Sequence, residues 1–262
     1  LTAYDIALQH IVEVVANDEI ELVFSGFQLL SLTELPPEIS QLTSIEHLEL
    51  RMTALSTLPP EIGQLTSLTD LWLQDNKISI LPPEIGELAS VTTIYLYGND
   101  LTSLPPEIGN LIELEMLHLE RNDLQSLPPE IGNLTSLQIL GLSHNELTAL
   151  PREIGRLTEL THLYLDHNEL DHIPTSLGNL TSLRALYMDD NLWEQIPNEI
   201  RSIEDATTRT QAVVTYIRNQ AQWHLRRMIG SVVLMGVGIV MVILLLVRRR
   251  LGRKVKPKRG EA

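Results

Sequence analysis

The phrase Leu-Pro-Pro-Glu-Ile begins at Leu35, Leu58, Leu81, Leu104 and Leu127, and returns altered at Leu150 (LPREI), Ile173 (IPTSL) and Ile196 (IPNEI), always at an interval of 23 residues. A fixed period of this size dictates a stacked array, because one such unit cannot bury its own leucines and must share them with its neighbours. One full unit reads LPPEIGQLTSLTDLWLQDNKISI, from Leu58 to Ile80. Within it Leu71 and Leu73 are two apart, so they point to one side of a short strand while Trp72 points to the other. Ile62, Leu65 and Leu68 fit a turn of helix or 3-10 helix on the return path, which Pro59 and Pro60 can begin but not sit inside. The same prolines exclude a purely helical array of this period, since two per unit would break each helix. Asn76 recurs as Asn99, Asn122, Asn145, Asn168 and Asn191. An amide carries donors and an acceptor, so a stacked column of asparagines is expected to satisfy backbone groups turning out of neighbouring strands.

These residues resemble the leucine-rich repeat family, consensus LxxLxLxxNxLxxLPxxIxxL. More narrowly they are similar to the 23-residue class found in plant intracellular Ras-group-related proteins, scribble-type scaffolds and many bacterial repeat proteins. The resemblance covers about residues 20–200, with seven full units and a partial one over 35–200. It implies an α/β leucine-rich repeat solenoid: curved, with a parallel β-sheet on the concave face and short helical or 3-10 turns on the convex side, generally used to bind proteins. The first unit departs at Thr53, where asparagine is expected, so the asparagine ladder should begin one repeat later.

An array needs caps, or its end leucines stay wet. Residues 1–34 read as the N-terminal cap: Tyr4–Ala16 carries Ile6, Ile11, Val14 and Val15 at helical spacing with Asp5 as the expected N-cap, followed by a strand-like Leu22–Phe24 and a Ser25-Gly26 turn. Residues 201–227 read as a C-terminal capping and juxtamembrane helix, its apolar face formed by Ala212, Val213, Val214, Tyr216, Ile217 and Ala221. Position 1 is leucine, which reads as a truncated or processed start.

Residues 228–247 then change character. Ile229–Val247 holds 19 residues without a charge, spanning about 28 Å as a helix, close to a bilayer core. Arg226 and Arg227 bound one side and Arg248–Arg250 the other, with Trp223 near an interface. The tail, 248–262, carries eight basic residues, an orientation signal and a contact for anionic lipid. The positive-inside rule keeps that tail cytoplasmic and puts the repeats outside; moving one cation outward against 100 mV costs about 2.3 kcal/mol. The alternative is a tail anchor with the repeats in the cytosol, since no signal peptide is visible. Upstream of residue 226 the chain is strongly acidic, nine basic against 33 acidic residues, a balance of −24 that repels phosphate backbones and excludes nucleic acid as the partner of the main body.

Register sorts the outward side chains into columns. The middle residue of each LxL gives Glu49, Trp72, Tyr95, His118, Gly141, Tyr164 and Tyr187; two further on stand Arg51, Gln74, Tyr97, Glu120, Ser143, Asp166 and Asp189; next come Met52, Asp75, Gly98, Arg121, His144, His167 and Asp190. Five of the chain's eleven aromatics fall in the first two columns, as expected of interface anchors. Stacking on an open sheet would also account for them. The expected protein-binding set is Trp72, Tyr95, Tyr97, His118, Tyr164, Asp166, Tyr187 and Asp189, with Trp72, Tyr95 and Tyr97 as an apolar anchor and the tyrosine/acidic group, with Asp190, selecting a basic partner segment. A spacer or surface-coat array without a specific partner is the alternative; it would carry interchangeable residues here, whereas Trp72 to Tyr187 differ sharply between units while the leucines do not.

Chemistry finds little support. The chain has no cysteine, which removes disulfides, thiolate metal sites and cysteine nucleophiles. No GxSxG, P-loop, HExxH or kinase signature occurs. His144, His167 and Asp190, beside Asp166, carry metal-ligand chemistry at strand spacing, but solvated histidines are common and this column differs in every unit, so no metal, cofactor or catalytic residue is expected.

Overall fold

The computed structural model describes residues 1–24, 29–191, 196–202, 207–220 and 222. Eight three-residue strands run in chain order through one parallel sheet: β1 (Glu21–Val23), β2 (His47–Glu49), β3 (Asp70–Trp72), β4 (Thr93–Tyr95), β5 (Met116–His118), β6 (Ile139–Gly141), β7 (His162–Tyr164) and β8 (Ala185–Tyr187). Each pairs with its successor, and from β2 onward residues one period apart are direct neighbours: Trp72 faces Tyr95, Tyr95 faces His118 and Gly141 faces Tyr164.

The return path follows from the prolines. Pro59 sits extended just before the turn (φ −72°, ψ 151°) and Pro60 opens a 3-10 helix, Pro60–Gln64. Its fixed φ and missing N–H cost nothing at that position. The pattern repeats at Pro83–Glu87, Pro106–Asn110 and Pro129–Asn133, and at Arg152–Arg156 and Thr175–Asn179 with a single leading proline. At the last recurrence Asn198–Arg201 forms a short α-helix instead, α2. From Pro60–Gln64 onward each 3-10 turn carries a glycine, which lets successive turns approach closely. A Cβ at residue 109 would stand 2.5 Å from the Glu130 carbonyl oxygen and 2.7 Å from its Cβ.

Between sheet and turns lies one continuous leucine core. In the unit read above, Ile62, Leu65, Leu68, Leu71, Leu73 and Ile78 are all completely buried. The asparagine ladder runs beside it as expected from residue type. Asn122 donates from Nδ2 to the Leu96 and Leu119 carbonyls (both 3.0 Å) and accepts at Oδ1 from the Leu101 N–H (3.0 Å). It begins at Asn76, whose Oδ1 accepts from the backbone N–H and hydroxyl of Thr53 (3.1 and 2.5 Å).

Helix α1 (Ala3–Asn17) covers the first repeat with Ala7, Ile11 and Val14. The expectation that Asp5 is the N-cap is corrected: Thr2 is, and Asp5 stands at the third helical position, its carboxylate accepting from the Thr2 N–H (2.8 Å) while the Thr2 oxygen accepts from the Asp5 N–H (3.1 Å). This reciprocal box satisfies more orphan donors than an aspartate cap alone. Strand β1 is set one residue earlier than the LVF reading, with the Phe24 N–H still bonded to the Glu49 carbonyl (2.8 Å).

At the far end a helix over 207–220, α3, buries Val213, Val214 and Ile217. It also closes the sheet edge. The Leu186 N–H donates to the Thr210 hydroxyl (2.8 Å), Gln211 donates to the Leu183 carbonyl (2.7 Å), and Arg218 donates twice to the Gly178 carbonyl (3.0 and 2.9 Å).

Contacts divide the chain into Leu1–Arg218 and Asn219–Ala262. Among the described residues no helix is long and apolar enough to cross a membrane. The span expected over Ile229–Val247, Trp223, the basic tail and the Ser25-Gly26 turn lie outside the described residues.

Candidate functional site

The sheet face is where the units differ, and strand alternation decides what stands on it. In the middle column the rings meet in two groups. Trp72 packs edge-on to Tyr95 (5.6 Å between centroids, 85°), and Tyr95 stacks on His118 (4.9 Å, 15°) with Tyr97 edge-on beside it (6.4 Å, 87°). Tyr164 and Tyr187 stack almost parallel (5.0 Å, 3°). Gly141 separates the groups. All six of these aromatic side chains are half-buried, leaving one surface of each to solvent.

A further column escaped the sequence reading. His47, Asp70, Thr93, Met116, Ile139, His162 and Ala185 open their strands, two residues before the middle column, and therefore face the same way. His47 packs edge-on to Trp72 (4.8 Å, 82°) and His162 lies parallel to Tyr164 (6.3 Å, 16°). The signal was the two-residue spacing already used for the leucines, applied toward the N-terminus as well as the C-terminus.

The third column, Met52 to Asp190, is corrected. Its members are not strand residues: all seven lie in the left-handed region, with φ from 52° to 69°. Only Gly98 adopts this freely; the others are held because each N–H from Met52 to His167 is tied to a carbonyl one repeat on, as His144 is to Asp166 (2.8 Å). His144 and His167 stack face to face (4.1 Å, 16°), and His167 pairs with Asp190 (3.1 Å). Stacked imidazoles aim their nitrogens along separate planes, and among the described residues no three metal-ligating side chains converge.

The acidic group is partly spent on structure. Asp166 accepts from the Asp189 N–H (3.0 Å) and from Ser143 (3.3 Å), so it braces the turn, whereas Asp189 and Asp190 are exposed. Glu49, 7% exposed, is held by Arg51 (2.5 Å). Burial, then the Asp75 charge, pushes the Tyr97 hydroxyl above its ordinary pKa; burial, then Tyr187 and Glu120, does so at Tyr164. Both phenols therefore stay protonated at neutral pH and can donate. Across these four columns seven carboxylates stand against two guanidiniums, Arg51 and Arg121.

Proline-led 3-10 turns, in-register three-residue strands and an asparagine ladder at a 23-residue period define a leucine-rich repeat protein. The family model described as leucine-rich repeat region matches residues 68–140 and 107–205, together over half of the chain, and the chain belongs to that family. No curated protein matches it. Among solved structures it is similar to a leucine-rich repeat protein of Leptospira interrogans: 38% identity, TM-score 0.62, covering 65% of this chain and 43% of that one. It is also similar to the plant peptide hormone receptor RGFR1, solved in complex with RGF2 (31%, TM-score 0.51, 66% of this chain and 32% of that one). A TDR receptor matches at 26% identity and TM-score 0.54, over 69% of this chain and 37% of its own length. The chain thus spans less than half the length of each. Receptors among these neighbours support a protein-interaction domain, in a family that is generally non-enzymatic.

Proposed function

We propose that the array recognises an extended protein or peptide segment along its concave sheet face, performs no chemistry there, and serves as the displayed domain of a membrane-tethered receptor, adhesion module or scaffold. The observation that carries this reading is the alignment of half-exposed rings in register along an open sheet: Trp72, Tyr95, Tyr97 and His118, then Tyr164 and Tyr187. Such side chains bring large contact area with a polar tip, the composition of interface anchors. The excess of carboxylates on the same face favours a basic partner. That RGFR1 is known in complex with RGF2 lends support to a peptide as the ligand.

The tether is Ile229–Val247, proposed from its uncharged length and flanking arginines, with tail 248–262 cytoplasmic against anionic lipid and the repeats outside. To test recognition, dodecapeptides are selected by display against the full-length chain and their affinities measured on variants. Trp72→Ala with Tyr95→Ala is expected to weaken them at least roughly 30-fold, as for paired hot-spot aromatics. Ile80→Ala, at an exposed position off the strands, is expected to change nothing. Unchanged affinity in a double variant that keeps its circular dichroism would refute the reading.

A further inference from the structure

We propose that recognition on the concave face is gated by pH: the face holds a basic segment at neutral pH and releases it as its histidines take up protons below about pH 6. The proposal rests on the concave-face reading above and adds the regulation of that site.

Five of the chain's eight histidines stand in the four columns: His47, His118, His144, His162 and His167. With imidazoles neutral, the seven carboxylates and two guanidiniums of those columns leave a charge of −5. Five added protons would bring it to zero. Imidazole is the side chain that ordinarily changes charge between pH 8 and pH 5, a range in which carboxylates ordinarily stay ionised.

Three of the five sit on a carboxylate. His118 Nδ1 lies 2.9 Å from Glu120 Oε1, His167 Nδ1 lies 3.1 Å from Asp190, and His47 Nε2 lies 3.8 Å from Glu49. A neutral imidazole can donate one N–H there and still leave the whole negative charge to a partner. Protonation puts a cation against the same carboxylate, and the pair no longer draws a third charge.

The surroundings of these rings reinforce the effect. His47 stands in register between Glu21 and Asp70, and Arg51 is already bound to Glu49. His118 stands between Tyr95 and Gly141, neither of which is charged at neutral pH. His167 stacks on His144 (4.1 Å), and one repeat before His144 the same column holds Arg121. Asp166 and Asp189 stand alongside, their carbonyls holding the His144 and His167 N–H groups. His162 meets the Thr161 hydroxyl (2.9 Å) and adds a charge with no carboxylate beneath it. With a screening length of about 10 Å at 0.1 M salt, a segment lying across the sheet feels several of these charges at once.

The test uses the selected dodecapeptides, acetylated and amidated, restricted to those with arginine or lysine and without histidine, aspartate or glutamate, so that only the full-length chain titrates. Affinity is measured at pH 7.5 and 5.5, with circular dichroism confirming the fold at both. Binding at least tenfold weaker at pH 5.5 is expected. In the triple variant His47→Gln, His118→Gln, His167→Gln the ratio of the two affinities should fall below three, whatever the affinity at pH 7.5. In His47→Gln with His167→Gln, which keeps His118, the ratio should fall at least twofold. His172→Gln should leave it intact, because that imidazole also touches a carboxylate, Asp171, but lies off the strands. A ratio under three in the native chain, or one undiminished in the double variant, overturns the gate. If the native ratio is flat while binding still depends on Trp72 and Tyr95, the gate is overturned and concave-face recognition stands. If no such peptide is selected, or Trp72→Ala with Tyr95→Ala leaves affinity unchanged, the recognition reading fails and the gate falls with it.

Discussion

Replacing Asn122 by alanine tests whether the asparagine column holds the array together. The side chain is 5% exposed and makes three well-formed bonds, two donated to the Leu96 and Leu119 carbonyls and one accepted from the Leu101 N–H, all at 3.0 Å. Leu101 lies 21 residues before Asn122 and Leu96 lies 26 before it, so a single amide stitches two consecutive repeats. Alanine leaves the buried Leu101 N–H without a partner, while the Leu96 and Leu119 carbonyls each keep one donor, from Asn99 (3.0 Å) and Asn145 (2.9 Å); one orphaned donor at about 1–3 kcal/mol, with two further bonds lost, brings the expected loss to roughly 3 kcal/mol. Asn191, near the end of the array and half-buried, makes equivalent bonds to Leu165, Met188 and Leu170 where water can substitute, so its loss should cost about half as much. Urea denaturation gives the totals. Because repeat arrays need not unfold as one unit, amide exchange at Leu101 supplies the local reading and should accelerate in Asn122→Ala. A cost under about 1 kcal/mol for Asn122→Ala, or equal costs at the two positions, would refute the reasoning.

The remaining expectations are briefer. Gly109→Ala should destabilise by about 2–3 kcal/mol in thermal unfolding, because the new Cβ meets Glu130 backbone 2.5 Å away and a turn, not a flexible side chain, must move. The hydroxyl and then the backbone N–H of Thr2 hold the Asp5 carboxyl below its ordinary pKa. The cap's contribution is therefore fully present above the usual carboxylate range and fades as pH falls through the lower, folded value; Thr2→Ala should flatten that acid dependence of helix α1, followed by amide exchange in residues 3–7. Ser126→Cys, at an exposed position in a chain without native cysteine, should react with a membrane-impermeant maleimide on intact cells. Labelling only after lysis would refute the outward orientation and favour the tail anchor.

How much of this was legible beforehand depends on the range of the interaction responsible. The period, the LxL strands, the proline-started turns and the asparagine column follow from spacing within one unit, multiplied by translation through 23 residues. Burial of Leu71 and Leu73 with Trp72 turned outward needs nothing more than alternation along a strand. The middle column was legible for the same reason, and Trp72, Tyr95, His118, Tyr164 and Tyr187 stand where register puts them.

Other features depended on choices that spacing does not encode. Thr2 rather than Asp5 caps α1 because two residues compete for the same orphan N–H groups and the reciprocal arrangement satisfies more of them. Met52 through Asp190 leave the strand because a left-handed turn carries the chain to the asparagine, and mostly non-glycine residues in that column conceal it. Which rings stack and which meet edge-on, and that Glu120 bends across the strand to lie over Gly141, are decided by neighbours one and two repeats away. The sequence by itself determined the repeat, its strand and turn phases and the identity of each column, because those are local and periodic. Only the tertiary structure decided how the columns touch, because a side chain's rotamer is selected by the surfaces around it and those belong to other units.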